Sequence, residues 1–529
     1  MDDARRPAPR PPRAASDARR FGRNFTLAAT AQLVSQVLTL LASIVLARRL
    51  NVSAYGIFVF GFAFPSWFLL VISLGLDEVM STDIAADRSR ANRYMTLVAL
   101  LRLLLVAIAI GSLYVATQIV LADPFARTIT IVLGVSSVIN AYAVTFTSIF
   151  RAFERLEYAA IVTIVERAAT VGTALLLLFS GFGLFEVSLA FLGGSFITLS
   201  LSALIARKSF ASFTSDVDRK TLAQVVRKAV PFGLANAVGT FTYTTGLVLL
   251  TVMKDSASTG LMNAAFTLLF ALFSFLNIAN YTVLPMMSRI NQESRQRLAA
   301  ALWKMEKLAL IWGVPLGLGG WFFAEPIITT FYGGAFRASA DVFRILVLCF
   351  SVETALMGNG PALAAIGQMK QNTYNAFGGA ALTIALSVLL IPPTGIIGAA
   401  LAFLAAHLFM AFRGALMVRR YIGPYGAWGT AAKALVAGSA MLLVLYVTPG
   451  VTLWTGIPLG GFAYLATLLA LRGGSNLLRA FRGTITVPGR GALPAAPRTA
   501  LKSIITGFVM LSKQDGRDVW EGIRGTLLR

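Results

Sequence analysis

The chain has 529 residues, of which 57% are hydrophobic and 13% are charged, and its mean hydropathy is +0.74. A water-soluble domain is nearer half apolar and a quarter charged, so this composition excludes an ordinary soluble fold. The net charge of +23 does not indicate nucleic-acid binding, because the basic residues fall on one side of the predicted membrane spans. The single cysteine, Cys349, excludes an intrachain disulfide and a thiolate metal cluster, and no metal or cofactor is predicted.

The chain begins with residues 1–20, which are rich in Arg, Pro and Ala and are predicted to form a disordered basic cytoplasmic tail. Long apolar runs follow, and several exceed the roughly 20 residues that cross about 30 Å of hydrocarbon. They predict an all-α integral membrane protein with about fourteen transmembrane helices. The spans are placed near residues 25–47, 57–76, 95–121, 128–150, 159–180, 184–206, 230–253, 260–287, 308–324, 341–366, 373–391, 395–418, 433–448 and 451–471.

Charge predicts the orientation of these spans. With the amino terminus inside, most of the 46 Lys and Arg residues fall in cytoplasmic segments. The outer loops hold only a few, which are Arg48, Arg49, Arg127, Lys254, Arg337 and Arg344. This asymmetry follows the positive-inside rule, so both termini are predicted to lie on the cytoplasmic side of the inner membrane. The basic inner surface is expected to attract anionic membrane lipids.

An internal repeat is visible in the first and seventh spans. Polar residues of span one and a glycine beyond it recur at one constant offset, in the pairs Gln32 and Asn236, Gln36 and Thr240, Thr39 and Tyr243, and Gly56 and Gly260. Transporters are commonly built from two copies of a helical unit with the substrate site between them. The predicted parts are an N-terminal six-helix lobe (21–210), a cytoplasmic linker (211–229), a C-terminal six-helix lobe (230–420), two additional helices (433–471) and a basic cytoplasmic tail (472–529).

Polar side chains follow one face of several spans, where they are predicted to line a cavity. The spacing in spans one and seven repeats every three or four residues, as one helix face requires. The predicted cavity-lining residues are Gln32, Ser35, Gln36, Thr39, Asn236, Thr240, Tyr243, Thr244, Asn277 and Asn280. The alternative is hydrogen bonding between helices, which is worth about 0.6–2 kcal/mol for each bond.

Charged residues within spans are costly, at roughly 2.5–3.5 kcal/mol, and usually face a cavity or a partner. Arg102 and Arg167 are such residues, and a guanidinium group binds a diphosphate in a bidentate fork. The alternatives are that Arg102 extends to the inner surface and that Arg167 pairs with Glu166 or Glu154. Glu166 and Glu353 are candidates for coupling to an ion gradient, with a buried ion pair as the alternative.

Several short motifs, in order along the chain, resemble those of polysaccharide flippases of the Wzx type in the MOP superfamily. The motifs are residues 21–25 (FGRNF), 46–50 (LARRL), 53–58 (SAYGIF), 331–336 (FYGGAF), 364–370 (AAIGQMK) and 392–402 (PPTGIIGAALA). The resemblance implies a V-shaped transporter that alternates between inward-open and outward-open states around a cationic cavity. It also implies a cargo of oligosaccharide linked to undecaprenyl diphosphate.

The residues expected to contact this diphosphate at different stages are Arg102, Arg167, Arg48, Arg49 and Lys254. A glycan polymerase and glycosyltransferases are the expected protein partners, and no enzymatic activity is predicted. One alternative is a multidrug or organic-cation antiporter, which requires a carboxylate-lined cavity. Others are a membrane glycosyltransferase, polymerase or ligase, which requires large outer loops with acidic or histidine residues, and a non-transporting scaffold.

Overall fold

The structure is a computed structural model that describes residues 34–214, 218–423 and 428–471, apart from the side chains of residues 235, 275–282 and 285. Within these ranges the regular secondary structure is helical and no strand is present. The α-helices in chain order are α1 (34–49), α2 (Val52–Ser73), α3 (Leu76–Ala86), α4 (Ala91–Val120), α5 (Pro124–Ala152), α6 (Leu156–Phe179), α7 (Leu184–Ser209), α8 (Arg219–Met253), α9 (Ser256–Glu293), α10 (Arg295–Phe322), α11 (Ala324–Tyr332), α12 (Ser339–Ala355), α13 (Asn359–Ala365), α14 (Met369–Thr394), α15 (Ile396–Ile422), α16 (Trp428–Val447) and α17 (Leu453–Ala470).

Polar side chains start several of these helices by accepting hydrogen bonds from backbone N–H groups that lack an intrahelical partner. Asn51 caps α2 and Asp255 caps α9 in this way. Asp218 caps α8, and the hydrogen bond from the backbone N–H of Lys220 lowers the pKa of the Asp218 carboxyl, because it stabilises the charged form. The capping residues thus fix where each helix leaves its loop.

Ten helical segments in the described ranges are long and apolar enough to cross a membrane, or eleven if the bent pair α10 and α11 is counted as one span. The helix axes of that pair differ by 71°. The chain is therefore a multi-pass membrane protein. The count does not confirm the predicted number of about fourteen spans.

The N-terminal half consists of α1 to α7 and is packed around α5. Helices α2, α4 and α7 all lie against α5, and α6 lies against α7. Gly134 of α5 permits this packing, because a Cβ atom there would lie 2.3 Å from Leu113 of α4 and 3.1 Å from Pro65 of α2. A larger side chain would separate the three helices.

The C-terminal half consists of α8 to α15. Helix α14 packs against α8 and α15, and α12 packs against α9, α10 and α15. Phe266 of α9 and Phe403 of α15 meet edge to face in its interior, with ring centroids 4.9 Å apart. The two halves contact each other through α2 and α3 on one side and α8 and α9 on the other.

Helices α16 and α17 form an addition to the C-terminal half. They pack on each other and on α10, around a cluster that includes Phe323, Met441 and Tyr464. The Tyr464 hydroxyl donates a hydrogen bond of 3.0 Å to the Ile311 carbonyl oxygen. The expected arrangement of two helical halves followed by two additional C-terminal helices is confirmed, whereas the described helices α1–α7 and α8–α15 do not establish six spans in each half.

Two sequence-based boundaries are wrong in detail. The predicted span at 341–366 is interrupted between α12 and α13, because Pro361 supplies no N–H for the helix hydrogen bond and clashes with the preceding turn. The predicted span 57–76 ends too late and omits a helix, because α2 ends at Ser73 and α3 follows it at once. Leu74 and Gly75, both with positive φ of 41° and 75°, separate α3 from α2.

One of the remaining predicted boundaries differs from the structure, and two lie outside it. Helix α8 already begins at Arg219, so it takes up part of the segment 211–229 that was predicted as a linker. The predicted tails at 1–20 and 472–529 lie outside the described residues.

Candidate functional site

The seam between the two halves is defined here as the contact surface of α1, α2 and α3 with α8, α9 and α11. At one end, Gly56 of α2 lies directly on the first turn of α9. A Cβ atom on Gly56 would lie 1.6 Å from the Ser256 carbonyl oxygen, and one on Gly260 would lie 2.5 Å from the Val52 carbonyl oxygen. Backbone therefore meets backbone at the two positions that the internal repeat relates to each other.

A polar cluster lies beside this glycine contact. The Tyr55 hydroxyl is 2.6 Å from Ser43 Oγ and accepts a hydrogen bond of 2.9 Å from Asn263 Nδ2 of the other half. Ser43 Oγ is also 3.4 Å from the Tyr332 hydroxyl of α11. Tyr55 further packs on the Phe336 ring, with centroids 5.7 Å apart. Hydroxyl and amide groups thus join the halves where a purely apolar contact would serve a static protein equally well.

The basic residues predicted at this end each have a partner. Arg48 Nε donates a hydrogen bond of 2.7 Å to the Phe331 carbonyl oxygen, and its Nη2 donates to the Thr330 carbonyl oxygen. These carbonyls belong to the last turn of α11, where the helix dipole favours a cation. The other two residues contact their own halves, since Arg49 lies 4.6 Å above the Phe179 ring and Lys254 Nζ donates 2.8 Å to the Pro392 carbonyl oxygen.

A polar link also lies along the described part of α2 and α8 at the seam. Trp67 Nε1 of α2 donates a hydrogen bond of 2.8 Å to Thr244 Oγ1 of α8, and the Trp67 ring packs on Phe241 with centroids 5.4 Å apart. The Thr244 hydroxyl in turn donates to the Thr240 carbonyl oxygen at 2.8 Å. Thr244, predicted as a cavity-lining residue, therefore lies at the seam.

The other end of the seam repeats the combination of glycine and polar contacts. A Cβ atom on Gly75 would lie 2.3 Å from the Ala229 carbonyl oxygen, and one on Gly233 would lie 2.5 Å from the Leu74 carbonyl carbon. Nearby, Lys228 Nζ donates 2.8 Å to Asp83 Oδ2, which links α8 to α3.

A second pair strengthens this end. Asn236 Nδ2 of α8 donates 3.2 Å to Glu78 Oε1 of α3, so another predicted stripe residue lies at the seam. The second carboxylate oxygen of Glu78 is buried and has no hydrogen-bond partner. The Asp83 carboxylate also accepts a hydrogen bond of 2.6 Å from the Tyr94 hydroxyl of its own half.

Arg102 lies inside the N-terminal half rather than at the seam. It is fully buried, and its Nη2 is 2.6 Å from Asp77 Oδ1 of α3. Its Nη1 donates to Thr145 Oγ1 at 2.8 Å and to the Ala141 carbonyl oxygen at 3.2 Å, both on α5. The guanidinium thus joins α3, α4 and α5, and in this conformation it is not presented to a cargo or extended to the surface.

Arg167 is placed differently. Its side chain is 35% exposed, and its Nε lies 3.5 Å from Glu166 Oε2. Thr170 Oγ1 donates 3.2 Å to the other Glu166 oxygen. The pair predicted as an alternative is therefore present, but it is long, and Arg167 keeps exposed surface for a ligand.

A cavity of about 440 Å³ lies between α6 and α7 of the same half. Small and apolar residues line most of it, including Ala169, Gly193 and Leu189, with Glu186 as the one charged group. It is not on the seam, and the lining provides few groups for recognising sugars.

The polar stripe of α1 is partly buried at Ser35, Gln36 and Thr39, and the Thr39 hydroxyl donates 2.8 Å to the Ser35 carbonyl oxygen. On α8, the Thr240 hydroxyl donates 3.3 Å to the Asn236 carbonyl oxygen. Three further predicted residues lie outside what the structure describes, namely Gln32 and the side chains of Asn277 and Asn280.

Tyr243 and Glu353 belong to an aromatic and titratable cluster within the C-terminal half. The Tyr243 ring is 37% exposed and packs near Phe270, Phe403 and His407, with centroid distances of 5.1, 5.9 and 6.0 Å. Glu353 lies on α12 of the same half, and in the described part of the chain it forms no ion pair and no hydrogen bond. His407 Nδ1 lies 2.9 Å from the Phe403 carbonyl oxygen.

Sequence reasoning found Arg48, Asn236 and Thr244 but missed the α3 residues that join the halves, although one signal for them was available. Leu76, Val79, Met80 and Ile84 of α3 are all buried and follow helical spacing, which predicts a helix. Recognising this helix would have placed Asp77, Glu78 and Asp83 on a packed element. Nothing in the local spacing indicates that they contact α4 and α8.

Comparisons with known proteins assign the chain to a family and its fold to a known class. A family model described as "Polysaccharide biosynthesis protein" matches residues 21–291, about half of the chain. No match was found among curated proteins. Solved structures with a similar fold share 13–17% sequence identity with the chain, and at that level the likeness shows the fold.

One similar structure is the lipid II flippase MurJ in an inward closed conformation, with a TM-score of 0.69 and 17% identity, covering 84% of this chain and 98% of that one. Another is an inward-facing multidrug resistance MATE family transporter of the MOP superfamily, with a TM-score of 0.59 and 15% identity, covering 74% of this chain and 98% of that one. A third is a MOP superfamily transporter from Pyrococcus furiosus, with a TM-score of 0.55 and 13% identity, covering 76% of this chain and 96% of that one.

Two helical halves joined along α2, α3, α8 and α9, together with these likenesses, define the fold as that of MOP-superfamily transporters. Within that class, the chain belongs to the polysaccharide biosynthesis protein family.

Proposed function

We propose that this chain is a transporter that flips an oligosaccharide linked to polyprenyl diphosphate across the cytoplasmic membrane, for the synthesis of cell-surface or extracellular polysaccharide. The observation that carries the proposal is the composition of the seam. Its two ends combine glycine backbone contacts, at Gly56 with Gly260 and at Gly75 with Gly233, with separable polar links. Membership of a polysaccharide biosynthesis family supports a saccharide cargo.

The chemistry of the cargo explains why such a seam is useful. A diphosphate and several sugars cannot cross hydrocarbon, because buried polar groups without partners cost several kcal/mol each, on the order of 2–7. When the halves separate at one end, the hydroxyl, amide and carboxylate groups of the seam become available to water and sugar. Alternating separation at the two ends would move the sugar while the lipid tail stays in the bilayer.

The basic residues have distinct parts in this mechanism. Arg48 bonds across the seam to carbonyl oxygens of α11, so separation of the halves at that end releases its guanidinium for the diphosphate. Arg167 is already partly exposed in this conformation and would bind the diphosphate at the earlier stage. Arg102 stays within its own half when the halves move apart, so its contacts support a structural part. Arg49 follows Arg48 directly, and Lys254 lies two residues before Ser256, which contacts Gly56, so both are assigned auxiliary attraction of the anion at this end.

The proposed setting follows the charge asymmetry. The protein lies in the cytoplasmic membrane with both termini in the cytoplasm, so the end of the seam at Gly56 faces outward and the end at Gly75 faces the cytoplasm. The two lobes are taken as residues 21–210 and 230–420. The transport reaction itself makes and breaks no covalent bond, so the chain would act as a transporter and not as an enzyme.

An organic-cation antiporter is the second candidate, and one cluster favours it. Glu353 with the rings of Tyr243, Phe270 and Phe403 combines a carboxylate with aromatic faces, and these groups recognise organic cations. The seam carries carboxylates as well, but Asp83 and Glu78 already have partners there.

The deciding experiment follows a fluorescent lipid-linked oligosaccharide from one leaflet to the other in proteoliposomes that contain the full chain. The flippase proposal requires movement that depends on the protein and falls in Arg167→Ala, while Arg207→Ala, which also removes an exposed arginine from the N-terminal half, serves as the control. Uptake of organic cations without movement of the lipid-linked sugar would favour the antiporter.

A further inference from the structure

A group of basic and aromatic side chains lies away from the seam, where α16 packs on α10. We call this group the α10–α16 basic cluster, and it consists of Trp303, Lys304, Lys307, Trp428 and Lys433. Helices α16 and α17 contact α10 and form the outer addition to the C-terminal half. The cluster is therefore outside the proposed transport pathway.

Two of its lysines, Lys307 of α10 and Lys433 of α16, lie on helices that pack on each other, and neither forms an ion pair in the described part of the chain. Lys307 Nζ lies 3.2 Å from the centroid of the Trp303 ring, and the pKa of Lys307 is lowered, first by partial burial of its ammonium group and then by the positive charge of Lys433 on α16. Both lysines are partly buried, and Lys304 is exposed one position after Trp303. With Glu306 counted, the cluster still carries an excess of positive charge.

The position of the cluster along its helices indicates the headgroup level of the membrane. The apolar spans of the sequence begin at residues 308 and 433, so Lys307 and Lys433 both stand at the start of a span. Trp303 and Trp428 are exposed, and tryptophan is enriched at this interface. On the membrane side of the lysines, Leu316 of α10 and Leu435 of α16 are exposed apolar residues.

We infer that the α10–α16 basic cluster is a binding site for the phosphate of an anionic phospholipid. A phosphate between Lys307 and Lys433 would remove the repulsion of two like charges on neighbouring helices. Basic pockets between helices on the cytoplasmic side bind such headgroups, and the acyl chains would lie along the exposed apolar residues above. The Trp303 ring fixes the Lys307 ammonium group in the required position.

Native mass spectrometry of the detergent-solubilised full chain tests the site, with phosphatidylglycerol and phosphatidylcholine added as probes. The wild type should retain phosphatidylglycerol in preference to phosphatidylcholine. Lys307→Gln with Lys433→Gln should bind phosphatidylglycerol about 30-fold more weakly, since each basic residue near the surface contributes about fivefold. Lys307→Arg with Lys433→Arg should restore most of the binding.

Lys208→Gln is the matched control, because it removes one exposed basic residue from the last turn of α7. Its binding should equal that of the wild type. Equal phosphatidylglycerol binding by the double glutamine variant would overturn the site, as would displacement of the lipid by inorganic phosphate at equal concentration. Should the glutamine variants fail to fold, lipid binding is compared between the double arginine variant and Trp303→Leu. Unchanged phosphatidylglycerol binding in Trp303→Leu would then contradict the proposed site. The leaflet assay of the same variants is read separately, so failure of the flippase proposal leaves this result intact.

Discussion

Gly56 of α2 and Gly260 of α9 occupy equivalent places in the two halves and lie against each other, so that neither has room for a Cβ atom. The contact is made by helix backbone, with Ser256 and Val52 carbonyl oxygens as the nearest atoms. Small residues permit such close approach of helices in membranes, where packing rather than the hydrophobic effect drives association. The position of the contact makes it the closure of one end of the seam.

Replacing Gly56 with alanine should separate α2 from α9. Ser256 O would lie 1.6 Å from the new methyl group, and backbone cannot move aside as a flexible side chain can. Overpacking of this kind costs about 1–3 kcal/mol, so we expect a lower thermal midpoint in detergent and reduced movement of lipid-linked sugar between leaflets.

Gly111→Ala in α4 provides the comparison, since a Cβ atom there meets nothing within 4 Å. Alanine is the better helix former by about 0.8–1.0 kcal/mol, so the Gly111 variant should be as stable as the wild type or slightly more so. Equal behaviour of the two variants would remove the glycine contact from the argument.

The buried pair of Arg102 and Asp77 supports the fold of the N-terminal half. Removing one partner of a buried ion pair costs about 3–5 kcal/mol, because the other charge is left without compensation. Arg102→Ala should therefore lower the thermal midpoint and the amount of folded protein recovered from the membrane. Asp77→Asn combined with Arg102→Met should recover much of that stability.

A direct part for Arg102 in cargo binding makes a different forecast. In that case Arg102→Ala would fold normally and lose transport, and the double variant would stay inactive. Thermal unfolding and the leaflet assay, measured on the same preparations, distinguish the two outcomes.

The internal repeat shows how far the sequence reached. The equivalence of Gly56 and Gly260 can be predicted from the sequence, because the two residues belong to a set that recurs at one constant offset. The two helical halves were predicted from the same repeat. The partner of Arg102 could not be predicted from the sequence, because Asp77 lies on a different helix and no local spacing relates the two residues. Helix α3 was missed because the predicted span ended at residue 76 and the next began at residue 95, although the buried apolar residues of α3 follow helical spacing.

The link between Asp83 and Lys228 should act on conformation more than on stability. The lysine side chain is 56% exposed, and an exposed ion pair contributes about 0–1 kcal/mol to folding. Loss of even about 1 kcal/mol changes the ratio of closed to open forms at that end about fivefold. Lys228→Gln should therefore widen the distance distribution between spin labels on α3 and α8.

Labels at Ala85→Cys and Ala223→Cys, both exposed, report this distance after buried Cys349 is replaced with alanine. Exchanging the charges, with Asp83→Lys and Lys228→Asp together, should restore the narrow distribution. Arg297→Gln breaks an exposed ion pair with Glu293 where α9 meets α10, away from α3. This variant should leave the distance distribution unchanged. A wild-type distribution in Lys228→Gln would mean that the ion pair does not hold this end closed.

Glu353 is the remaining candidate for coupling transport to an ion gradient. In the described residues it has no ion pair and no hydrogen bond, whereas Glu166 is engaged by Arg167 and Thr170. An acidic side chain within a span that lacks such partners is suited to exchange a proton or a small cation. Glu353→Gln should therefore leave the thermal midpoint near that of the wild type and abolish the response of transport to an imposed proton or sodium gradient. Glu166→Gln should keep that response, and a gradient effect that survives in Glu353→Gln but disappears in Glu166→Gln would assign the coupling to the N-terminal half instead.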